Sequence, residues 1–147
     1  MSYAAPPKRW FIRAFGIIHA AIFRLSRGRL TNSLQGDEIC FLETTGAKTG
    51  KIRMAPLMYV PHGNCVLMVA SVGGTEKHPF WYWNILKNPE VTVTHRSRRV
   101  RLRARLVSSD ERSELWPICV EYYSPFAEYQ TRTQREIPIF VGEPVSS

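Results

Sequence analysis

From Arg99 to Leu106 the chain reads RVRLRARL, with an arginine at every odd position and an aliphatic side chain at every even one. Period two is the repeat of a β-strand, whose successive side chains point to opposite faces. Arg99, Arg101, Arg103 and Arg105 therefore face one way, and Val100, Leu102, Ala104 and Leu106 the other. A strand with one wet and one apolar face belongs to an antiparallel sheet. VTVTHR precedes it as a second strand, and HRSRR closes the hairpin between them. EICFLETT, RMAPLMYV, NCVLMVAS and IPIFVGE also read as strands, and PHGN is a turn short enough to make its two flanking strands antiparallel.

Two helices interrupt this pattern. KHPFWYWNILKNP has helical length and stops at Asn88-Pro89. SSDERSELW opens with a capping box from Ser108 to Glu111, and Pro117 is expected to interrupt or kink the helix that follows. About six short strands joined mostly as a meander, with helices between them, predict an α+β fold. Its expected form is a small closed or nearly closed antiparallel barrel with helices packed outside.

The first thirty-six residues follow another rule. No Asp or Glu precedes Asp37, whereas Lys8, Arg9, Arg13, Arg24, Arg27 and Arg29 all do, so much of the net charge of +8 is N-terminal. On a helix Arg9, Arg13, Gly16, Ala20, Arg24 and Arg27 form one stripe, and Phe11, Phe15, Ile18, Ile22 and Leu25 cover the opposite side. The ten uncharged residues between Arg13 and Arg24 are about half of the ~20 needed to span a bilayer. FRLSRGR offers no small-residue cleavage site, which argues against a cleaved leader. The expected organisation is a basic amphipathic helix and connector over residues 1–36 and a barrel domain over 37–147, one domain's worth of chain in all. Cys40, Cys65 and Cys119 are scattered in apolar surroundings, and neither they nor the four histidines have metal-ligand spacing, so buried thiols and no metal are expected.

TTGAKTGKIR, Thr44 to Arg53, is glycine- and lysine-rich like a phosphate loop but is not a nucleoside-triphosphate loop. Gly46 and Gly50 are one residue too close, and Ile52 stands where the magnesium-binding hydroxyl would be. Taken by itself, the segment also reads as a solvated glycine turn between strands.

Three stretches together carry a resemblance: TTGAKTGKIRMAPLMYV, ASVGGTEKHPFWYWNILKNPEVTV and SSDERSELWPICVEYYSPFAEYQTRTQREIPIFVGEP. In order and spacing, from Asp37 to Pro144, they resemble the deazaflavin-dependent nitroreductase and quinone reductase family. The resemblance implies a split β-barrel of the FMN-binding, pyridoxamine-oxidase-like kind that binds coenzyme F420, an 8-hydroxy-5-deazaflavin with a phospholactyl and oligoglutamate tail. By the same resemblance Lys48, Thr49, Gly50 and Arg53 hold the anionic tail, and Ala70, Ser71, Trp81 and Asn84 line the deazaflavin. Trp81 and Asn84 are three apart, hence on one helix face, although core packing is the ordinary fate of Trp81, Tyr82 and Trp83. Tyr123 and Tyr129 match tyrosines that relatives place over the open face of the ring, where a phenol can donate a proton or hydrogen bond to the acceptor. Phe126 and Met58 stand where some relatives carry tyrosine, and Val72 where several carry lysine, so a more apolar substrate pocket is expected.

The activity implied is hydride transfer from reduced F420 to a quinone-like or nitroaromatic acceptor, with no nucleophile or metal required. The expected place is the cytoplasm, with the N-terminal helix either lying on anionic lipid at the inner face of the membrane or packing on the barrel as an ordinary surface helix. A non-catalytic F420 carrier is a second reading. A basic nucleic-acid module is a third, weakened because no aromatic side chain interleaves the arginine face to stack a base.

Overall fold

The computed structural model describes residues 33–34 and 37–145, so the basic amphipathic stretch read from the N-terminus lies outside the described residues. The strands are β1 (Ser33–Leu34), β2 (Asp37–Thr45), β3 (Ile52–Met58), β4 (Val60–His62), β5 (Cys65–Val69), β6 (Glu90–His95), β7 (Arg98–Leu106) and β8 (Ile139–Pro144). The helices are α1 (Phe80–Lys87), α2 (Ser109–Tyr122) and α3 (Pro125–Thr131), with a single 3-10 turn at Val72–Gly74. All strand pairs are antiparallel, in the order β1-β2-β6-β7-β8-β5-β4 with β3 on the free side of β2.

The expected second strand, RMAPLMYV, is in fact two. Its first part pairs with β2 through Met58, opposite Ile39. Tyr59 N–H still donates to Glu38 O at 3.0 Å, and from Val60 the chain pairs with β5, opposite Leu67. One continuous segment thus joins the two ends of the sheet and curls it into a split barrel. A change of partner of this kind is a tertiary event that strand propensity does not register, which is why the local reading gave one strand.

The core has an inner and an outer part. Cys40 and Leu42 of β2, Ala55 of β3, Val66 and Met68 of β5, Val91 and Val93 of β6, Leu102 and Ala104 of β7 and Phe140 of β8 all meet inside the barrel. Trp81 and Ile85 of α1 join them. The alternate residues of β5 and β8 (Leu67, Val69, Ile139 and Val141) face outward and pack on Leu115 and Cys119 of α2 and Phe126 of α3. β5 and β8 are therefore covered on both faces, which explains why CVLMV shows no alternation, whereas β7 with its open outer face does. Each such aliphatic side chain contributes about 1.5–3 kcal/mol by leaving water.

Two local expectations are corrected. β7 alternates as read until Leu106, which is exposed, and Val107 takes the buried place where the strand ends. Pro117 does not interrupt α2, which runs unbroken from Ser109 to Tyr122. Pro117 and Ser113, whose carbonyl would have received the missing N–H, both lie on the exposed face, so water can serve that carbonyl. The capping box at its start is half used. Ser108 Oγ accepts from Glu111 N at 3.2 Å, while the Glu111 carboxylate turns to Arg105 at 2.8 and 2.9 Å.

Candidate functional site

The β2–β3 connection is a tight turn held from beneath by α1. Gly46 N–H donates to Lys51 O at 2.8 Å and Gly50 N–H to Gly46 O at 2.9 Å. Gly50 has φ +71°, which a side chain would resist. Asn84, buried in α1, uses both ends of its amide on this turn: Oδ1 accepts from Ala47 N at 2.8 Å and Nδ2 donates to Thr44 Oγ1 at 3.0 Å. Lys87, one helical turn later, donates from Nζ to Ala47 O at 2.6 Å. The outer side of the turn presents Lys48, Thr49, Gly50, Lys51 and Arg53, all exposed.

Two sets of cations differ in how they are answered. On the outer face of β7, Arg99 pairs with Glu43 at 2.8 Å, Arg101 with Glu90 at 3.2 Å, and Arg105 with both Glu111 and Glu143 at 2.8 Å. The hydrogen bond to Arg105 holds the Glu111 carboxyl below its ordinary pKa. Among the described residues Lys48, Lys51 and Arg53 have no carboxylate at ion-pair distance. The turn is thus an unneutralised cationic surface on a rigid base.

Ala70 and Ser71, both buried, follow β5 and lead into the Val72–Gly74 turn. Ala70 N–H donates to Pro138 O at 2.9 Å. The turn itself packs on α3: a Cβ on Gly74 would collide with the Tyr129 backbone, its Cα being 2.9 Å away. From the segment after α3, Arg132 Nη1 donates to Gly73 O at 3.2 Å, and Arg135 Nη2 to Ala70 O and Ser71 O at 3.1 and 3.0 Å.

Tyr123 closes α2, and Ser124 and Pro125 start α3 afresh, Pro125 fitting the first helical turn where no N–H is needed. Although they sit on two helices, Tyr123, Phe126 and Tyr129 form one cluster, with Phe126 buried and ring centroids 5.0 to 6.3 Å apart. The Tyr123 and Tyr129 hydroxyls are 3.1 Å apart and hydrogen-bonded. Met58, at the end of β3, packs on the same outer core that Phe126 belongs to, and also on Ile39 and Phe41.

The residues singled out in the sequence thus fall into three groups. Lys48, Thr49, Gly50 and Arg53 share the outer side of the β2–β3 turn, with Asn84 beneath it. Ala70 and Ser71 follow β5 and lead into the Val72–Gly74 turn, which packs on α3. Tyr123, Phe126, Tyr129 and Met58 form the third group. Trp81 lies inside the barrel, 3% exposed and edge-on to Phe140 at 5.8 Å, in the same core cluster as Ala70.

Sequence reasoning missed Lys87, Arg132, Arg135 and Gln130. Their partners lie up to 65 residues away, and only the density of polar groups in QTRTQRE hinted at a role. Gln130 Oε1 accepts from Arg112 Nη2 at 2.7 Å and Ile137 N at 2.9 Å, while its Nε2 donates to Arg135 O at 2.7 Å. An open groove of about 570 Å³ runs beside this network, lined by Glu76, Thr131, Arg132, Thr133, Gln134 and Arg135. None of the residues expected from the sequence to form the site lines it. No cluster of three or more His, Cys, Asp or Glu suited to a metal occurs among the described residues.

A family model for F420H(2)-dependent quinone reductases matches residues 17–144. The chain belongs to that family. An F420H(2)-dependent quinone reductase of Mycobacterium tuberculosis is 36% identical over 141 residues, 90% of this chain and 95% of the relative. A solved F420-H2 dependent reductase (FDR-A) is 46% identical, covers 71% of this chain and 93% of its own, and superposes with a TM-score of 0.67. HutZ, a heme storage protein of Vibrio cholerae, shares the fold at a TM-score of 0.54 and 14% identity, which speaks for the split barrel alone. Family membership makes F420 the coenzyme and an F420H2-dependent reductase the enzyme class of this chain, on a split antiparallel barrel.

Proposed function

We propose that this chain transfers a hydride from reduced F420 to a quinone-class acceptor, with the coenzyme's anionic tail on the β2–β3 turn and the acceptor beside Tyr123 and Tyr129. The observation that carries this placement is the contrast in charge balance. Three arginines of β7, Arg99, Arg101 and Arg105, are spent on carboxylates, whereas Lys48, Lys51 and Arg53 stand together without a carboxylate on a turn fixed by Asn84. That donor set fits a phosphate and a run of carboxylates, which need fixed positive charge and backbone amides. Arg53 suits a bidentate grip, Lys48 a point contact, and Gly50 lets the backbone come close.

When bound, reduced F420 supplies the hydride from C5, so the protein's task is positioning and charge stabilisation. Ala70 and Ser71, at the rim of the barrel, are placed to border the ring. The tyrosine pair serves the acceptor. By its chemistry a phenol of this hydrogen-bonded pair can donate its hydrogen to a quinone oxygen. That hydrogen stabilises the negative charge that develops on a quinone oxygen, and the neighbouring hydroxyl can reload it. Phe126 and Met58 make the surroundings apolar, which favours a lipophilic quinone and would also admit a nitroaromatic compound. Asn84 and Trp81 act indirectly, the first through the turn it anchors and the second through the barrel interior.

The same charge balance disfavours a nucleic-acid surface on β7. The reading of residues 1–30 as an interfacial helix supports attachment to anionic lipid, where a membrane quinone is found. No helix among the described residues is long and apolar enough to cross a bilayer. Titration with oxidised F420, followed by coenzyme fluorescence, tests the main proposal: saturable quenching that weakens with salt is expected. An equal or tighter response to FMN would overturn it. Binding without quinone turnover from reduced F420 would leave the carrier reading in its place.

A further inference from the structure

Three consecutive residues after Ser71 have positive φ: Val72 at 44°, Gly73 at 61° and Gly74 at 82°. The glycines adopt this geometry freely, but a β-branched side chain resists it, so Val72 is held where its own preference would not put it. Two hydrogen bonds close the turn, Gly74 N–H to Ser71 O at 2.9 Å and Thr75 N–H to Val72 O at 3.3 Å. They are not enough to explain why valine stays. Arg135 supplies more. Its guanidinium donates from Nε to Thr75 O at 2.8 Å and from Nη2 to Ala70 O and Ser71 O at 3.1 and 3.0 Å, and Nη1 meets His78 Nδ1 at 3.3 Å. The fork therefore grips the backbone on both sides of the strained residue.

Arg135 is itself fixed. Its carbonyl accepts from Gln130 Nε2 at 2.7 Å, and its N–H donates to Thr133 Oγ1 at 3.3 Å. Gln130 lies on α3, the helix that carries Tyr129, and Arg132 ties the same region to Gly73 O at 3.2 Å. The backbone after β5 and the helix that carries Tyr129 are thereby joined through Arg135.

We propose that Arg135 is a positioning residue for the coenzyme reductase reaction: it clamps the Ser71–Thr75 turn in a strained shape that seats the deazaflavin ring and locks that turn to α3. The part concerning the ring rests on the placement given under Proposed function, whereas the clamping of the turn does not. Without the clamp Val72 relaxes to negative φ, and only the fraction of molecules with the turn formed binds coenzyme at full strength.

The test uses full-length protein carrying Arg135→Ala, Arg135→Lys, Val72→Gly and the Arg135→Ala/Val72→Gly pair. Amide hydrogen exchange of the protein without coenzyme should accelerate at Gly74 and Thr75 by about tenfold or more in Arg135→Ala, with Leu67 and Val141 unchanged. The dissociation constant for F420 should rise by a similar factor, again about tenfold. Adding Val72→Gly should recover most of that loss, because glycine holds positive φ without a clamp. A role in bulk stability would not produce that rescue. Should Arg135→Ala fail to fold, Arg135→Lys, which keeps the charge but cannot span three carbonyls, carries the same comparison. Unchanged exchange at Gly74 and Thr75, or no recovery with Val72→Gly, overturns the proposal. Wild-type protein that ignores F420 while the exchange results hold would instead refute the placement of the ring and leave the clamp standing.

Discussion

Asn84 shows how a residue near a binding surface can matter without touching a ligand. Its amide satisfies an N–H and a hydroxyl of the β2–β3 turn, and truncating it strands the buried Thr44 hydroxyl and the half-buried Ala47 N–H. Asn84→Ala should therefore cost about 1–3 kcal/mol in denaturant unfolding and also weaken F420 binding, since Lys48 and Arg53 would project from a loosened base. A variant that loses stability but keeps full coenzyme affinity would show that the turn does not hold the tail. The tyrosine pair makes the opposite prediction. Tyr123→Phe and Tyr129→Phe remove one oxygen each and keep the volume, so quinone turnover should fall while coenzyme affinity stays nearly constant. Steady-state kinetics beside a fluorescence titration separate the two, and a collapse of coenzyme binding would move the pair from the acceptor to the coenzyme.

At the level of elements, the β2–β3 turn should behave as an electrostatic device. Replacing Lys48 or Arg53 by Ala should weaken F420 by roughly tenfold or more, as expected for a charge-assisted hydrogen bond worth about 1.5–3 kcal/mol. The deficit should shrink as salt rises, because exposed charges are screened within about 10 Å at 0.1 M. Full affinity in the double variant would remove the turn from the site. The turn was legible in the sequence because its glycines and lysines are contiguous, and β7 because one of its faces is open to water. β5 and β8 were harder, since burial on both sides erases alternation. The split of β3 from β4 was invisible, because what changes at Tyr59 is the neighbour and not the strand character. Arg135 was invisible for a related reason: its partners at Ala70, Ser71 and Thr75 are distant in the chain, so no local window contains the interaction.

For the whole molecule, the barrel and the N-terminal stretch make separable claims. Deleting residues 1–30 should abolish sedimentation with anionic liposomes and leave F420 binding in solution largely intact, each basic side chain near such a surface contributing on the order of 1 kcal/mol. A truncated protein that unfolds, or a full-length one that ignores liposomes at low salt, would make the segment structural instead. The barrel domain carries its own balance of charge, with Arg99, Arg101 and Arg105 paired on β7 and the cations of the β2–β3 turn unpaired, so coenzyme binding should be its property most sensitive to ionic strength.

The segment that passes from β2 to β5 at Tyr59 also has a kinetic meaning. Hairpins such as β6–β7, and those that pair this segment with β2 and with β5, can form early because little chain entropy is lost in closing them, but the ring closes only when β5 finds β8, far along the chain. Closure of the ring should then be a late event, on the native side of the folding barrier. Val60, fully buried in one cluster with Ile139 and Val141 of β8, reports on it. Val60→Ala should accelerate unfolding and leave the refolding rate almost untouched, whereas a refolding rate that falls in step with stability would place the crossing in the nucleus.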